Sequence, residues 1–166
     1  MAVRKILLLG NPILRTRCSP VKEFSSKETR GTIADLRDTL VDFRKRRGFG
    51  RGIAAPQIGS TLGIIFIRLG GLDALINPKI IKRSTQTIEL WDDCFSFPDL
   101  LVKVRRHKKI VVSYVDEAGE RKILKASDAL SELLQHEIDH INGVLAIDRA
   151  IRKQDILLRS EFPTPS

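Results

Sequence analysis

Residues 136–140 read His-Glu-Ile-Asp-His, and they lie in a stretch whose apolar residues recur with the period of an α-helix. Leu130, Leu133, Leu134, Ile138 and Ile141 form the apolar stripe. On such a helix His136 and His140 sit one turn apart on one face, where both imidazoles can bind a single metal ion. Glu137, between them, can shuttle a proton for water activated by that ion. The motif therefore demands a helix and suggests a hydrolase. It supplies only two ligands, where a catalytic site holds three and an open position.

The chain around this helix reads as α+β in one domain spanning residues 1–166, with mostly antiparallel sheets around a central helix. Ser127 is placed to cap that helix, with Asp128 in its first turn, and Asn142-Gly143 stops it. Ser25 and Ser26 can cap an earlier helix from about Lys27, in which Ile33, Leu36, Leu40 and Phe43 share a face. It should end at Arg44-Lys45-Arg46-Arg47, whose cations suit a helix C-terminus, just before Gly48. Between the helices, residues 62–69, 74–76, 81–89, 100–104, 109–115 and 121–124 read as strands. Asn77-Pro78 punctuates the second and third of these, and Asp116-Glu117-Ala118-Gly119 reads as a hairpin turn. The first 25 residues, with turns at Asn11-Pro12 and Ser19-Pro20, read as extended chain laid over the domain. A third, short, basic helix is expected over about 148–159, followed by a frayed tail from about 160 to 166.

Composition narrows the partners. A hydrophobic share of 42% and a charged share of 30% suit a folded protein. The net charge of +9 is either a solvated cationic surface or an attraction to polyanions such as RNA, the ribosome or an acidic membrane surface. Aromatic residues make up only 5%, which argues against base-stacking platforms and sequence-specific nucleic-acid binding. Cys18 and Cys94 are too few for a disulfide framework, so a reducing cytoplasm is the expected location. The apolar run at residues 6–9 follows two cations like a signal sequence, but Gly10-Asn11-Pro12 breaks it too early. No apolar stretch reaches the roughly 20 residues of a membrane span.

The third ligand must be sought elsewhere in the chain. Downstream, Asp148 lacks the spacing seen in H-E-x-x-H peptidases. Upstream, Cys94 in Trp91-Asp92-Asp93-Cys94-Phe95-Ser96 is the better candidate, since a thiolate with two imidazoles suits Zn²⁺ or Fe²⁺. Cys18 has no comparable company and reads as structural. His107, in a basic run, reads as exposed and not a ligand.

Four segments together resemble the peptide deformylase family over nearly the whole chain. They are Gly10-Asn11-Pro12-Ile13-Leu14-Arg15, Gly50-Arg51-Gly52-Ile53-Ala54-Ala55-Pro56-Gln57, Asp92-Asp93-Cys94-Phe95-Ser96, and His136 to His140 with Asp139. The resemblance implies the deformylase fold and one divalent metal held by Cys94, His136 and His140. That metal is ferrous iron in typical members, often zinc or nickel in purified protein. It implies a hydrolase that removes the formyl group from the N-terminal methionine of nascent polypeptides. In that reaction Glu137 takes the water proton and delivers it to the leaving amine. Family precedent assigns oxyanion donors to the Gln57 amide and the Phe95 backbone N–H. Gly50, Arg51, Gly52 and Ile53 then form the segment that approaches and pairs with the peptide, its glycines giving the backbone access. Arg106 is the natural partner of Asp139, behind the site. A basic C-terminal helix carrying Arg149, Arg152, Lys153 and Arg159 suits transient ribosome docking.

The chain departs from the family pattern in four places. Asp92 replaces Glu, and Asp93 replaces the Gly before the cysteine. Arg51 stands between the glycines where the family has an apolar residue. Glu132, one turn before His136, replaces an apolar residue near the pocket for the methionine side chain, which Leu133 still lines. Asp93, Arg51 and Glu132 are expected to offset one another's charge and reshape that pocket. The competing readings are a divergent amidohydrolase acting on another N-acyl substrate, and a catalytically silent metal-binding homologue. A general endopeptidase is disfavoured by the missing downstream ligand.

Overall fold

The computed structural model describes residues 2–69 and 73–162. Helix α1 (Lys27–Arg47) starts where Ser26 Oγ accepts the Thr29 N–H at 3.1 Å. It ends in four cations and Gly48, whose φ of 78° only a residue without Cβ adopts freely. Helix α2 (Asp128–Ile141) carries the His-Glu-Ile-Asp-His motif. Ser127 stands at its N-cap position, yet its side chain makes no capping bond; the chain turns there through Asp128 at φ 52°.

Between the helices lies a five-stranded sheet in the order β1 (Gly52–Ala54), β2 (Ile64–Ile67), β3 (Ala74–Arg83), β6 (Lys109–Val115) and β7 (Arg121–Ser127). Its neighbours are all antiparallel. The continuous apolar run of β2 follows from burial on both faces. Ile64 and Phe66 pack with Ile33, Leu36, Leu40 and Phe43 of α1, while Ile65 and Ile67 pack with Leu133, Leu134 and Ile138 of α2. Alternate residues of one strand thus hold both helices. A second antiparallel sheet, β4 (Thr87–Asp92), β5 (Leu100–His107) and β8 (Ile156–Leu158), closes a third core with Leu14, Cys94, Phe97, Val102, Val104 and Leu145. The α+β fold is as expected, and the N-terminal segment does lie over the domain. Leu7 N–H bonds to Gln57 O, Leu9 N–H to Ser96 O and Cys18 N–H to Ile141 O, each at 2.8 Å.

Three expectations are corrected. The strand expected to stop at Asn77-Pro78 runs through it as β3, with a register shift between Ile76 and Lys79. No helix forms over 148–159. A 3-10 turn (Ala146–Arg149) is followed by β8, which pairs with β5, and by a second turn (Arg159–Glu161). Asp148 caps the Leu145 N–H at 2.8 Å and pairs with Arg15, which fixes a turn where a helix would have to continue. The tail is ordered as far as Phe162, whose ring meets Trp91 edge-on at 5.4 Å; residues 163–166 lie outside the described residues. Among the described residues, no helix is long and apolar enough to cross a membrane.

Candidate active site and metal centre

Helix α2 is tied to the end of β5 by side chains that gave no signal in the sequence. Ser131 Oγ donates to His107 O at 2.8 Å, and Gln135 both accepts the His107 N–H and donates to its carbonyl, each at 2.9 Å. His107 is accordingly half-buried rather than exposed, its Nδ1 2.8 Å from Ser84 O. This fixes the rotation of α2, so His136 and His140 face the segment after β4.

There the Nε2 atoms of His136 and His140 lie 3.2 Å apart, and Cys94 Sγ lies 3.2 Å from His140 Nε2. All three residues are buried, with their donor atoms within 4.8 Å of one another. Asp92 supplies the electrostatic backing. It takes the His136 Nδ1–H at 2.9 Å and Arg106 Nη2 at 3.0 Å. Burial works against its charge, yet His136 and Arg106 outweigh that and hold its carboxyl at about 2. With Nδ1 committed to Asp92, Nε2 of His136 faces the other two donors and is the atom that would give its lone pair to an ion. Sulfur and nitrogen ligands of a tetrahedral ion, at bonds of roughly 2.0–2.3 Å, lie a little over 3 Å apart, so this trio fits a divalent metal. Arg106 also reaches Asp139 at 2.5 Å, and Arg149 clamps the same carboxylate at 2.8 Å.

Glu137 is buried beside the ligands, and its Oε2 lacks a partner among the described residues. Burial pushes its carboxyl up to about 7; Asp92 and Glu132 add to the rise, and His136 and Arg51 oppose it. Gln57 sits in a 3-10 turn (Ala55–Ile58) directly after β1. Its Oε1 accepts the Ala54 N–H at 2.9 Å, which aims the amide NH₂ at Ser96 Oγ (3.3 Å) and Cys94 Sγ (3.6 Å). A cavity of about 450 Å³ opens onto Cys94, His136, Glu137 and Gln57.

A family model described as polypeptide deformylase matches residues 3–155. The chain is 41% identical to the peptide deformylase of Acidothermus cellulolyticus over 150 residues, covering 90% of this chain and 79% of that one. It is 36% identical to that of Thermoanaerobacter pseudethanolicus over 156 residues, covering 93% and 94%. The crystal structure of the Thermotoga maritima peptide deformylase superposes with a TM-score of 0.84 at 33% identity, covering 92% of this chain and all of that one. This chain belongs to the peptide deformylase family. Deformylases are metal-dependent hydrolases that remove the N-formyl group from the N-terminal methionine of nascent peptides, and that is the activity of this chain.

The remaining site residues show how this deformylase differs from the family pattern. Gly50 has φ 121°, and a Cβ there would fall 2.4 Å from the Phe95 ring, which itself stacks on Phe43 at 3.8 Å. A Cβ on Gly52 would fall 2.7 Å from Glu137 Oε1, so its missing side chain makes room for the acid. Ile53 contributes only backbone to the site, because its side chain is fully buried against α1. Among the described residues β1 pairs only with β2, which leaves its other edge beside the cavity open to an extended peptide. Leu133, Arg51, Glu132 and Asp93 all line the cavity. Arg51 and Glu132 do pair, at 2.8 Å. Asp93 does not join them. It binds Arg159 at 2.9 Å, and that guanidinium lies 4.8 Å over the Phe49 ring. Arg159 was invisible as a site residue because it lies far from the four motifs in sequence, and Phe49 because it falls one position before the second of them with no chemistry of its own to mark it.

Proposed function

We propose that Cys94, His136 and His140 hold one ferrous ion, with Zn²⁺ or Ni²⁺ able to replace it, in a cytoplasmic enzyme acting on formylated nascent chains. The observation that supports this reading is the convergence of one sulfur and two nitrogens, with His136 backed by Asp92. A divalent ion bound there supplies Lewis acidity, activating water and polarising the formyl carbonyl. Glu137 is the residue that moves the proton. Its unpartnered Oε2 takes it from the attacking water and hands it to the departing peptide amine. Burial raises this carboxyl above the ordinary range, which favours its keeping the proton between the two halves of the transfer. The Gln57 NH₂ and the Phe95 backbone N–H donate to the oxygen that gains charge as the formyl carbon becomes tetrahedral. The peptide lies along the Gly50 to Gly52 edge, and Leu133 packs against its first side chain. Asp92, Arg106 and Asp139 keep His136 in the required tautomer and orientation.

The test is formate release from formyl-Met-Ala-Ser by anaerobically purified, iron-loaded protein, with metal content measured alongside. Cys94→Ala should lose both metal and activity, and Glu137→Gln should keep the metal and lose turnover by several orders of magnitude. A Glu137→Gln enzyme with near-normal kcat would overturn the assignment of the acid.

We further infer that ribosome contact, if tested by co-sedimentation, runs through the general basic surface. Three of the four C-terminal cations first suited to it are engaged within the chain: Arg149 with Asp139, Arg152 with Asp155 and Arg159 with Asp93. Binding at low salt that falls with added salt in both wild type and an Arg149→Ala, Arg152→Ala variant supports this; loss only in the variant refutes it.

A further inference from the structure

Arg51 and Glu132 come from the loop before β1 and from the first half of α2, and they meet on the wall of the active-site cavity. The Glu132 side chain is only 7% exposed, while that of Arg51 is 41% exposed. Glu132 engages one guanidinium nitrogen, Nη2, at 2.8 Å. A guanidinium carries five N–H donors, so Arg51 keeps donors for whatever enters the cavity. Leu133, next to Glu132, is an apolar residue lining the same cavity, as are Phe49, Trp91 and Phe95. Asp93 is paired with Arg159 instead of Arg51. The cavity beside the ligands therefore presents a hydrogen-bonding cation among its apolar lining residues.

We propose that the Arg51–Glu132 pair sets substrate preference, favouring formyl-peptides whose first side chain carries a hydrogen-bond acceptor over those with a purely apolar side chain of equal length. The proposal rests on the deformylase reading of the site and deepens it. An apolar side chain pressed against Arg51 strips water from the guanidinium without replacing the lost hydrogen bonds. An acceptor oxygen replaces them with a charge-assisted bond. Sites that hydrogen-bond a substrate group discriminate more steeply than sites that merely fit it. Because Arg51 stays partly open to water, the discrimination is set at about tenfold, well below the limit for a sealed site. The thioether of methionine is itself a weak acceptor, so formyl-methionine remains a substrate and stands between the two classes.

The experiment compares kcat/KM of the metal-loaded enzyme on formyl-X-Ala-Ser with X as norleucine, methionine, methionine sulfoxide and glutamine. The sulfoxide and glutamine peptides should exceed norleucine by about tenfold, most of it in KM. The double variant Arg51→Ile, Glu132→Ile should reverse the order. Arg51→Gln sits at a half-exposed position, can still bond Glu132, and so should fold even where the double variant does not; it should bring the ratio near one. Norleucine equal to or ahead of the acceptor side chains in wild type, or a ratio unmoved in both variants, overturns the proposal while leaving the deformylase reading intact. Absence of turnover on all four peptides by protein with stoichiometric metal overturns both.

Discussion

Asp92 hangs from the last residue of β4 with its carboxylate between the His136 imidazole and the Arg106 guanidinium. In the sequence it is one acid beside another, a shortened version of a motif glutamate. Helical periodicity places His136 on a face but cannot name the group behind its ring. Asp92→Asn keeps the shape and removes the charge, so the His136 tautomer is no longer fixed. Metal affinity should fall about 10- to 100-fold in competition with a chromogenic chelator. An unchanged affinity would show that Asp92 has no such role. Gly52 poses a steric question instead. A Cβ there meets Glu137 Oε1 at 2.7 Å, so Gly52→Ala must move the carboxylate. We expect kcat to drop by about two orders of magnitude with metal content unchanged, since a displacement of about 1 Å carries that cost. Normal kcat would mean that Glu137 can act from elsewhere. Cys18 offers a pH test away from the site. Burial pushes its thiol up to about 11. The thiol form is the one favoured by folding, so thiolate stays scarce as pH rises past the ordinary range. Labelling of folded, metal-loaded protein by a thiol reagent should climb about tenfold per pH unit beyond the usual plateau near pH 8.5–9. A plateau at the ordinary position would contradict the burial argument.

The two helices were legible to within a residue or two because each carries its own evidence, an apolar stripe and a stop residue. Strand boundaries were not, and β3 shows why. Asn77-Pro78 is a turn signal by composition, yet here it is a kink inside a strand. Asn77 takes φ 52°, which asparagine tolerates better than most residues. Its side chain both accepts the Val21 N–H at 2.8 Å and donates to Val21 O at 2.9 Å. The partner lies in the N-terminal segment, 56 positions away, so no local window contains it. Asn77→Ala removes both bonds and places an ordinary residue at positive φ. We expect a loss of about 2–3 kcal/mol, read as a lower midpoint in urea with an unchanged slope. A loss below about 0.5 kcal/mol would mean that Pro78 alone sets the kink.

At the scale of the molecule, the motifs defined a metal site and its reaction, and the charges around it were visible as departures. Which charge pairs with which was not visible, because pairing depends on where the C-terminal segment goes. Its basic residues suggested a helix facing outward. The open edge of β5 instead takes residues Ile156–Leu158 as β8, and the following turn carries Arg159 to Asp93. Arg159 also donates to Pro98 O at 3.1 Å and covers the Phe49 ring, so it straps Phe49 and Asp93, two residues that line the cavity. Both partners in this ion pair are over a third exposed, about 40% and 35%, so the pair stabilises the fold little, by about 0–1 kcal/mol. Its consequence lies in the site. Arg159→Ala leaves Asp93 as an unpaired carboxylate beside the cavity and uncovers one face of Phe49, which stays packed against Phe43 and Phe95. KM for formyl-Met-Ala-Ser should rise several-fold with kcat nearly unchanged, since the ligands and Glu137 are not touched. Added salt should shrink the difference, because a carboxylate this exposed is screened. Phe162→Ala separates docking of the segment from the charge itself. The chain has one tryptophan, Trp91, against which the Phe162 ring packs, so a red-shifted emission reports an undocked tail. A shifted emission together with the raised KM would place the effect in the strap as a whole. A raised KM in Arg159→Ala with emission unchanged would place it in Asp93 alone. An unchanged KM in both variants would mean that the strap does not bear on substrate at all.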